Sequence, residues 1–278
     1  MKSAEAIARI RAGHLPLGSG RLPKLGKTRV QVGPYRIFVR FSERLRDADS
    51  TTVVLVHGLV VSSRYMVPLA RRLAARFAVY APDLPGFGWS SKPKETLTLA
   101  QLAEVLARWM DEKEIARAAL VANSLGCQIA VEFATRFPDR VAGLVLQGPT
   151  MDPSARAPVP QILRWIANGW RERPSQLALL VLDYAQAGFV RFVRSFRMAL
   201  EDRIEDKLDA IHAPCLVVRG GRDPIVPQAW AEEVTRRLPQ GRLVVIAGAP
   251  HALNYSRPLE MARVVTPFLD RLRAEATA

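Results

Sequence analysis

The stretch RAALVANSLGCQIAVEFATRFP, residues 117–138, changes character in its middle. Up to Asn123 it is a short run of small and β-branched apolar residues, the pattern of a strand buried on both faces of a parallel sheet. From Ser124 onward the apolar residues suit a helix, which Pro138 ends because proline has no N–H to donate and collides with the preceding turn. Ser124 therefore falls at a tight join of strand and helix. A serine held there projects its hydroxyl above the sheet edge. The helix behind it offers unpaired N–H groups and a positive dipole end to a developing oxyanion. Such a turn needs small residues on either side, and Ala122 and Gly126 supply them. A serine that opens a helix also serves as an ordinary N-cap, so the join alone leaves two readings open.

Outward from this join the same alternation repeats. TTVVLVHG (51–58), FAVYAPDL (77–84), VAGLVLQGP (141–149), APCLVVRGG (213–221) and GRLVVIAGA (241–249) read as buried strands. Amphipathic spacing predicts helices over 62–77, 97–115, 227–238 and 257–273. RVQV and YRIFVRF flank Gly33-Pro34 and read as an antiparallel pair joined by a turn. Alternating strands and helices imply an α/β fold, a mostly parallel central sheet flanked by helices. Between Pro149 and Pro214 no strand is evident, and a gap far longer than an ordinary connection points to an inserted helical cap. The expected organisation is a basic N-terminal leader over 1–28, a first part of the core over 29–149, the cap over 150–212 and a second part of the core over 213–278.

Composition narrows the function classes. The 278 residues are 49% hydrophobic and 24% charged, as in an ordinary globular enzyme and unlike a disordered chain. The formal charge of +14 is strongest in residues 1–46, where eleven Lys/Arg face two Glu. That excess suits nucleic acid or an anionic membrane surface, yet no zinc-finger spacing or aromatic-basic RNA signature accompanies it. An arginine-rich solvated surface with no specific nucleic-acid partner is the expected reading. Cys127 and Cys215 stand far apart in apolar stretches and make neither a zinc spacing nor a disulfide framework. Arg9, Arg11, His14 and Pro16 interrupt the beginning of the chain before the apolar core of a signal peptide develops. The apolar runs are also shorter than the roughly 18–20 residues of a membrane span. A cytoplasmic location is expected, with a small molecule and water as partners and an undetermined oligomeric state.

A serine needs a base to become a nucleophile. Of the four histidines, His14 lies in the leader, His57 in a His-Gly turn and His212 at the entrance of a strand. His251 follows the last core strand, at the sheet edge where open α/β folds bind ligands.

With these elements in order, the sequence resembles the α/β-hydrolase superfamily, in particular its capped serine esterase and carbon–carbon hydrolase branch, over roughly residues 30–273. The matching landmarks are His57-Gly58, Asp83-Leu84-Pro85-Gly86-Phe87-Gly88-Trp89-Ser90, the nucleophile elbow at Ser124, then Asp223 followed by His251. Ala122 departs from the usual glycine but is still small. The resemblance implies a catalytic triad in which Ser124 attacks, His251 takes its proton and Asp223 holds the imidazole in the useful tautomer. Asp152, after an earlier strand, is a second candidate for the acid. The oxyanion hole is expected from the backbone N–H groups of Leu59 and Leu125, with His57 bracing its loop. Relatives that dehalogenate or open epoxides carry aspartate at the elbow, so Ser124 implies acyl chemistry. No metal spacing or phosphate-cradling loop is present in the sequence, and the implied hydrolase needs water but no cofactor.

The cap adds Trp165, Trp170, Tyr184, Phe189, Phe192 and Phe196, which can roof an apolar pocket. It also carries Arg164, Arg171, Arg173, Arg191, Arg194 and Arg197. One or two of these, turned inward, would clamp a substrate carboxylate. Ester hydrolysis of a small or medium substrate is the leading expectation. The alternatives are carbon–carbon cleavage of a vinylogous diketo acid and a non-catalytic hydrolase-fold binding protein.

Overall fold

In the computed structural model of the protein, residues 7–8, 21–42 and 51–277 are described. Nine strands form one sheet: β1 (Ile7–Ala8), β2 (Leu25–Val32), β3 (Tyr35–Ser42), β4 (Thr52–Val56), β5 (Ala78–Pro82), β6 (Ala118–Asn123), β7 (Val141–Gln147), β8 (Cys215–Gly220) and β9 (Gly241–Ile246). Their spatial order is β1-β9-β8-β7-β6-β4-β5-β3-β2. β2 and β3 run antiparallel about Gly33, whose φ of 53° suits a residue without Cβ. β3 pairs antiparallel with β5, and every other pairing is parallel.

The central strands β4 and β6 are apolar on both faces because helices cover both. Val54 and Val56 of β4 and Leu120 and Ala122 of β6 face a layer built from α2 (Leu99–Glu112), α3 (Leu125–Arg136) and α7 (Gln228–Arg237). Val53, Leu55, Ala119 and Val121 turn the other way, toward α1 (Ser63–Leu73), α8 (Leu253–Ser256) and α9 (Pro258–Thr277). Leu55 and Leu120 are fully buried, each worth about 1.5–3 kcal/mol of transfer free energy. The expected core strands and the helices at 62–77, 97–115, 124–138, 227–238 and 257–273 are all present, with ends shifted by a few residues.

Between β7 and β8 stand three α-helices, three short 3-10 turns and no strand; the α-helices are α4 (Pro158–Gly169), α5 (Pro174–Ala187) and α6 (Phe189–Glu201). They are anchored by polar contacts with the core. Asp183 of α5 is buried, accepts from the Ser62 hydroxyl at 2.9 Å and pairs with Arg64. Arg191 of α6 donates to the Pro93 carbonyl at 2.6 Å. Gln128 of α3 donates to the Ala199 carbonyl and to Asp202, each at 3.0 Å. Most of the expected leader, 1–28, lies outside the described residues; within it, β2 already begins at Leu25.

Candidate active site

Ser124 sits between β6 and α3 with φ 55° and ψ −122°, a conformation that costs a side-chain-bearing residue about 1–3 kcal/mol. It occupies the N-cap position, yet its side chain makes no capping hydrogen bond. The capping role that the sequence left open is therefore not exercised. Small neighbours are required, as expected. A Cβ on Gly126 would come within 2.5 Å of the Val56 carbonyl oxygen, and Ala122 is completely buried in the sheet layer. The serine hydroxyl is partly exposed to a cavity of about 120 Å³, whose lining includes Gly58, Leu59, Leu125 and His251.

His251 and Asp223 are joined across two loops. The imidazole Nδ1–H donates to Asp223 Oδ2 at 2.7 Å. The other carboxylate oxygen accepts from the N–H groups of Ile225 at 2.8 Å and Val226 at 3.1 Å, which fixes its orientation. Both residues are buried, and His251 Nε2 has no hydrogen-bond partner among the described residues. The Nδ1 tautomer leaves a lone pair on Nε2, the state a proton acceptor requires. Burial pushes the His251 pKa down, but the Asp223 charge and hydrogen bond, with Glu172 behind them, outweigh it and leave it raised. Close packing leaves the ring little freedom, since a Cβ on Gly148 would lie 2.6 Å from His251 Cε1.

Asp152, the other candidate acid, is engaged elsewhere. It pairs with Arg164 at 2.7 Å and accepts from the N–H and hydroxyl of Ser154. His57 is braced as expected: Nδ1–H donates to the Gly58 carbonyl at 3.0 Å, and Nε2 accepts from the Leu84 N–H at 3.1 Å. Burial lowers its pKa, consistent with a neutral ring. Asp83 holds the adjoining loops by accepting from the N–H groups of Ser63 and Trp89. Leu125 is the first residue of α3, so its N–H belongs to the unsatisfied first turn.

A family model described as the Alpha/beta hydrolase family matches residues 53–264. The chain belongs to the alpha/beta hydrolase family. Among its curated relatives, this alpha/beta hydrolase is 26% identical over 244 residues to the biotin biosynthesis bifunctional protein BioHC of Cellvibrio japonicus. That match covers 79% of the chain and 48% of the relative, so the chain spans about half of that protein. It is 24% identical over 258 residues to a poly(3-hydroxyalkanoate) depolymerase of Ectopseudomonas oleovorans, covering 86% of the chain and 91% of the relative. Among solved structures, a bacterial membrane phospholipase A superposes with a TM-score of 0.76 at 26% identity, over 90% of this chain and 87% of that one. The chain thus shares the fold of that family over most of its length.

Several site residues of this hydrolase escaped sequence reasoning. Asn168, at the end of α4, accepts from the His251 N–H at 3.1 Å. Glu172 accepts from the Ala252 N–H at 2.7 Å, from Asn168 at 3.0 Å and from the Ser256 hydroxyl. Gln147 donates to the His251 carbonyl at 3.0 Å and to Asn254 Oδ1 at 2.9 Å. The histidine loop is therefore held from the core and from the cap. Gln147 alone carried a signal, as a glutamine closing an otherwise apolar strand. Because Glu172 raises the His251 pKa, Glu172→Gln removes a charge while keeping an acceptor oxygen. The acid limb of kcat/KM for wild type is expected above the ordinary histidine value of about 6.5. In the variant it should move to lower pH; an unmoved limb would remove Glu172 from the base's environment.

The cap aromatics divide. Trp165, Tyr184, Phe192 and Phe196 line the cavity, whereas Trp170 and Phe189 point outward. The possible carboxylate clamp is not present, because no arginine of the cap lines the cavity. Arg164 is spent on Asp152, Arg191 on the Pro93 carbonyl and Arg197 on Glu201.

Proposed function

We propose that the protein is a serine hydrolase that cleaves a neutral carboxylic ester of small or medium size through an acyl-enzyme on Ser124. One observation carries the reading. The cavity shared by Ser124 and His251 is lined by apolar residues and by neutral Asn, Gln, Thr and Tyr side chains, with no lysine or arginine among the described residues to receive a substrate carboxylate. The phenols of Tyr65 and Tyr184 remain neutral, since burial pushes both pKa values up.

In this reading Ser124 passes its proton to His251 Nε2 as Oγ attacks the ester carbonyl. Asp223 stabilises the imidazolium that forms. The N–H groups of Leu59 and Leu125 receive the oxyanion. The alkoxide then leaves with the proton from His251, and water, activated by the same imidazole, releases the acid. Names such as phospholipase A and poly(3-hydroxyalkanoate) depolymerase among the relatives denote cleavage of ester linkages and support the same direction.

Carbon–carbon cleavage of a diketo acid asks more of the site. The leaving carbon must be protonated and its enolate stabilised, and the acidic substrate needs a counter-charge that this cavity lacks. A binding protein without turnover, for its part, has no use for a serine in a strained turn beside an oriented imidazole. The test is kcat/KM for short p-nitrophenyl esters against a ring-cleavage diketo acid, with Ser124→Ala as blank. The esters are expected to be favoured. A hundredfold advantage for the diketo acid, about 2.7 kcal/mol of transition-state preference, would overturn the reading, and no turnover of either would favour the binding protein.

A further inference from the structure

Exposed apolar side chains are concentrated on the cap to a degree that helix packing does not explain. Thirteen large hydrophobic residues stand exposed among the described residues, and twelve of them lie between Val159 and Val193. Trp170 is 90% exposed and Phe189 78%, with Leu177 at 65%. They form stripes at helical spacing: Val159, Leu163 and Ile166 on the outer side of α4, continued by Trp170 at its C-cap, Leu177 and Val181 on α5, Phe189 and Val193 on α6. Scattered apolar residues on a surface need no explanation, but an accumulation on one element marks an interaction site.

The charge on the same helices points to the occupant. From Pro158 to Glu201 the chain holds six arginines and three acidic residues. Two of the acids are turned inward: Asp183 is buried against Ser62 and Arg64, and Glu172 holds the histidine loop; the third, Glu201, pairs with Arg197 at the end of α6. Arg171, Arg173 and Arg194 remain exposed among the apolar stripes. A second copy of this face would bring like charges together, whereas an anionic bilayer supplies both an apolar interior and negative headgroups. No single described helix is long and apolar enough to cross a membrane. The α5–α6 pair reaches that apolarity only together and is bent by 100°, a shape suited to lying in the interface rather than crossing it.

We infer that the outer face of α4, α5 and α6 docks this protein on an anionic lipid bilayer, with arginines at the headgroups and Trp170 and Phe189 inserted below them. Ile162 and Trp165 are both exposed and part of the cavity lining. A docked cap therefore places the cavity wall against the lipid, and esters dissolved in the bilayer become its substrate class. That last step rests on the ester-hydrolase reading; the docking itself does not.

The test is co-sedimentation of the full chain carrying Ser124→Ala, which keeps the vesicles intact, with phosphatidylcholine vesicles with and without phosphatidylglycerol. Binding is expected to vesicles containing phosphatidylglycerol, weaker to phosphatidylcholine alone, and reduced by added salt. The double variant Trp170→Asp and Phe189→Asp should lose at least about tenfold in vesicle affinity, while in the Ser124 background it turns over a soluble p-nitrophenyl ester at the wild-type rate. Neither residue lines the cavity, and their exposure makes the change harmless to folding. Failure to bind either vesicle, or undiminished binding by the double variant, would overturn the inference. So would a dimer in light scattering that the double variant dissociates, since the face would then belong to a second copy. Vesicle binding without ester turnover would leave docking standing and remove the proposed chemistry.

Discussion

Ser124→Ala is expected to lower ester turnover by about 10⁶-fold, the scale of nucleophile removal in a triad whose members act as a unit. The expectation follows from the elbow. The hydroxyl is held at φ 55°, makes no capping bond and opens onto the cavity that His251 also lines. Alanine preserves the turn and the packing of Gly126 against Val56, so the loss should appear in kcat rather than in thermal stability. A remainder of about 10³–10⁴ over water is expected from the oxyanion hole and binding alone. A fall in the unfolding temperature that matches the loss of rate would show instead that the serine is structural.

The second large effect concerns the acid. Asp223→Asn keeps the size of the side chain but presents an N–H to His251 or reverses the tautomer, so kcat should fall by about 10⁴. Asp152→Asn disturbs an ion pair with Arg164 and an Asx-type turn at Ser154, neither of which includes the imidazole, so a loss of no more than about tenfold is expected. The contrast between two aspartates that each follow a core strand makes the experiment decisive. Equal losses in both variants, or a larger one at Asp152, would separate Asp223 from the proton relay.

The core was legible in the sequence because its strands carry their burial openly. A parallel strand covered on both faces is apolar along most of its length, so 52–56, 118–123 and 215–220 stand out from the amphipathic stretches between them. The positions of Ser124, Asp223 and His251 were legible for the same reason, since each follows such a strand. What escaped was set by contacts distant in sequence. Glu172 meets the loop of His251 across 80 residues, and neither its charge nor its neighbours hint at that partner. Val60 adopts φ 55° in the loop beyond Gly58, where a β-branched residue gives no warning of a left-handed backbone. The cap was harder still. α4 is apolar both toward the cavity, through Ile162 and Trp165, and away from it, through Leu163 and Trp170. A helix with two apolar faces has no periodicity that tells roof from outer surface, which is why Trp170 and Phe189 read as pocket residues.

The most direct test of the central claim is the mass of the intact protein after reaction with a serine-directed fluorophosphonate, followed by peptide mapping. One adduct on the peptide containing Ser124 is expected, at a rate that Asp223→Asn slows sharply, with no adduct on Ser124→Ala. Labelling of Ser124→Ala at the wild-type rate, or an adduct mapped to another residue, would contradict the assignment of Ser124 as the nucleophile.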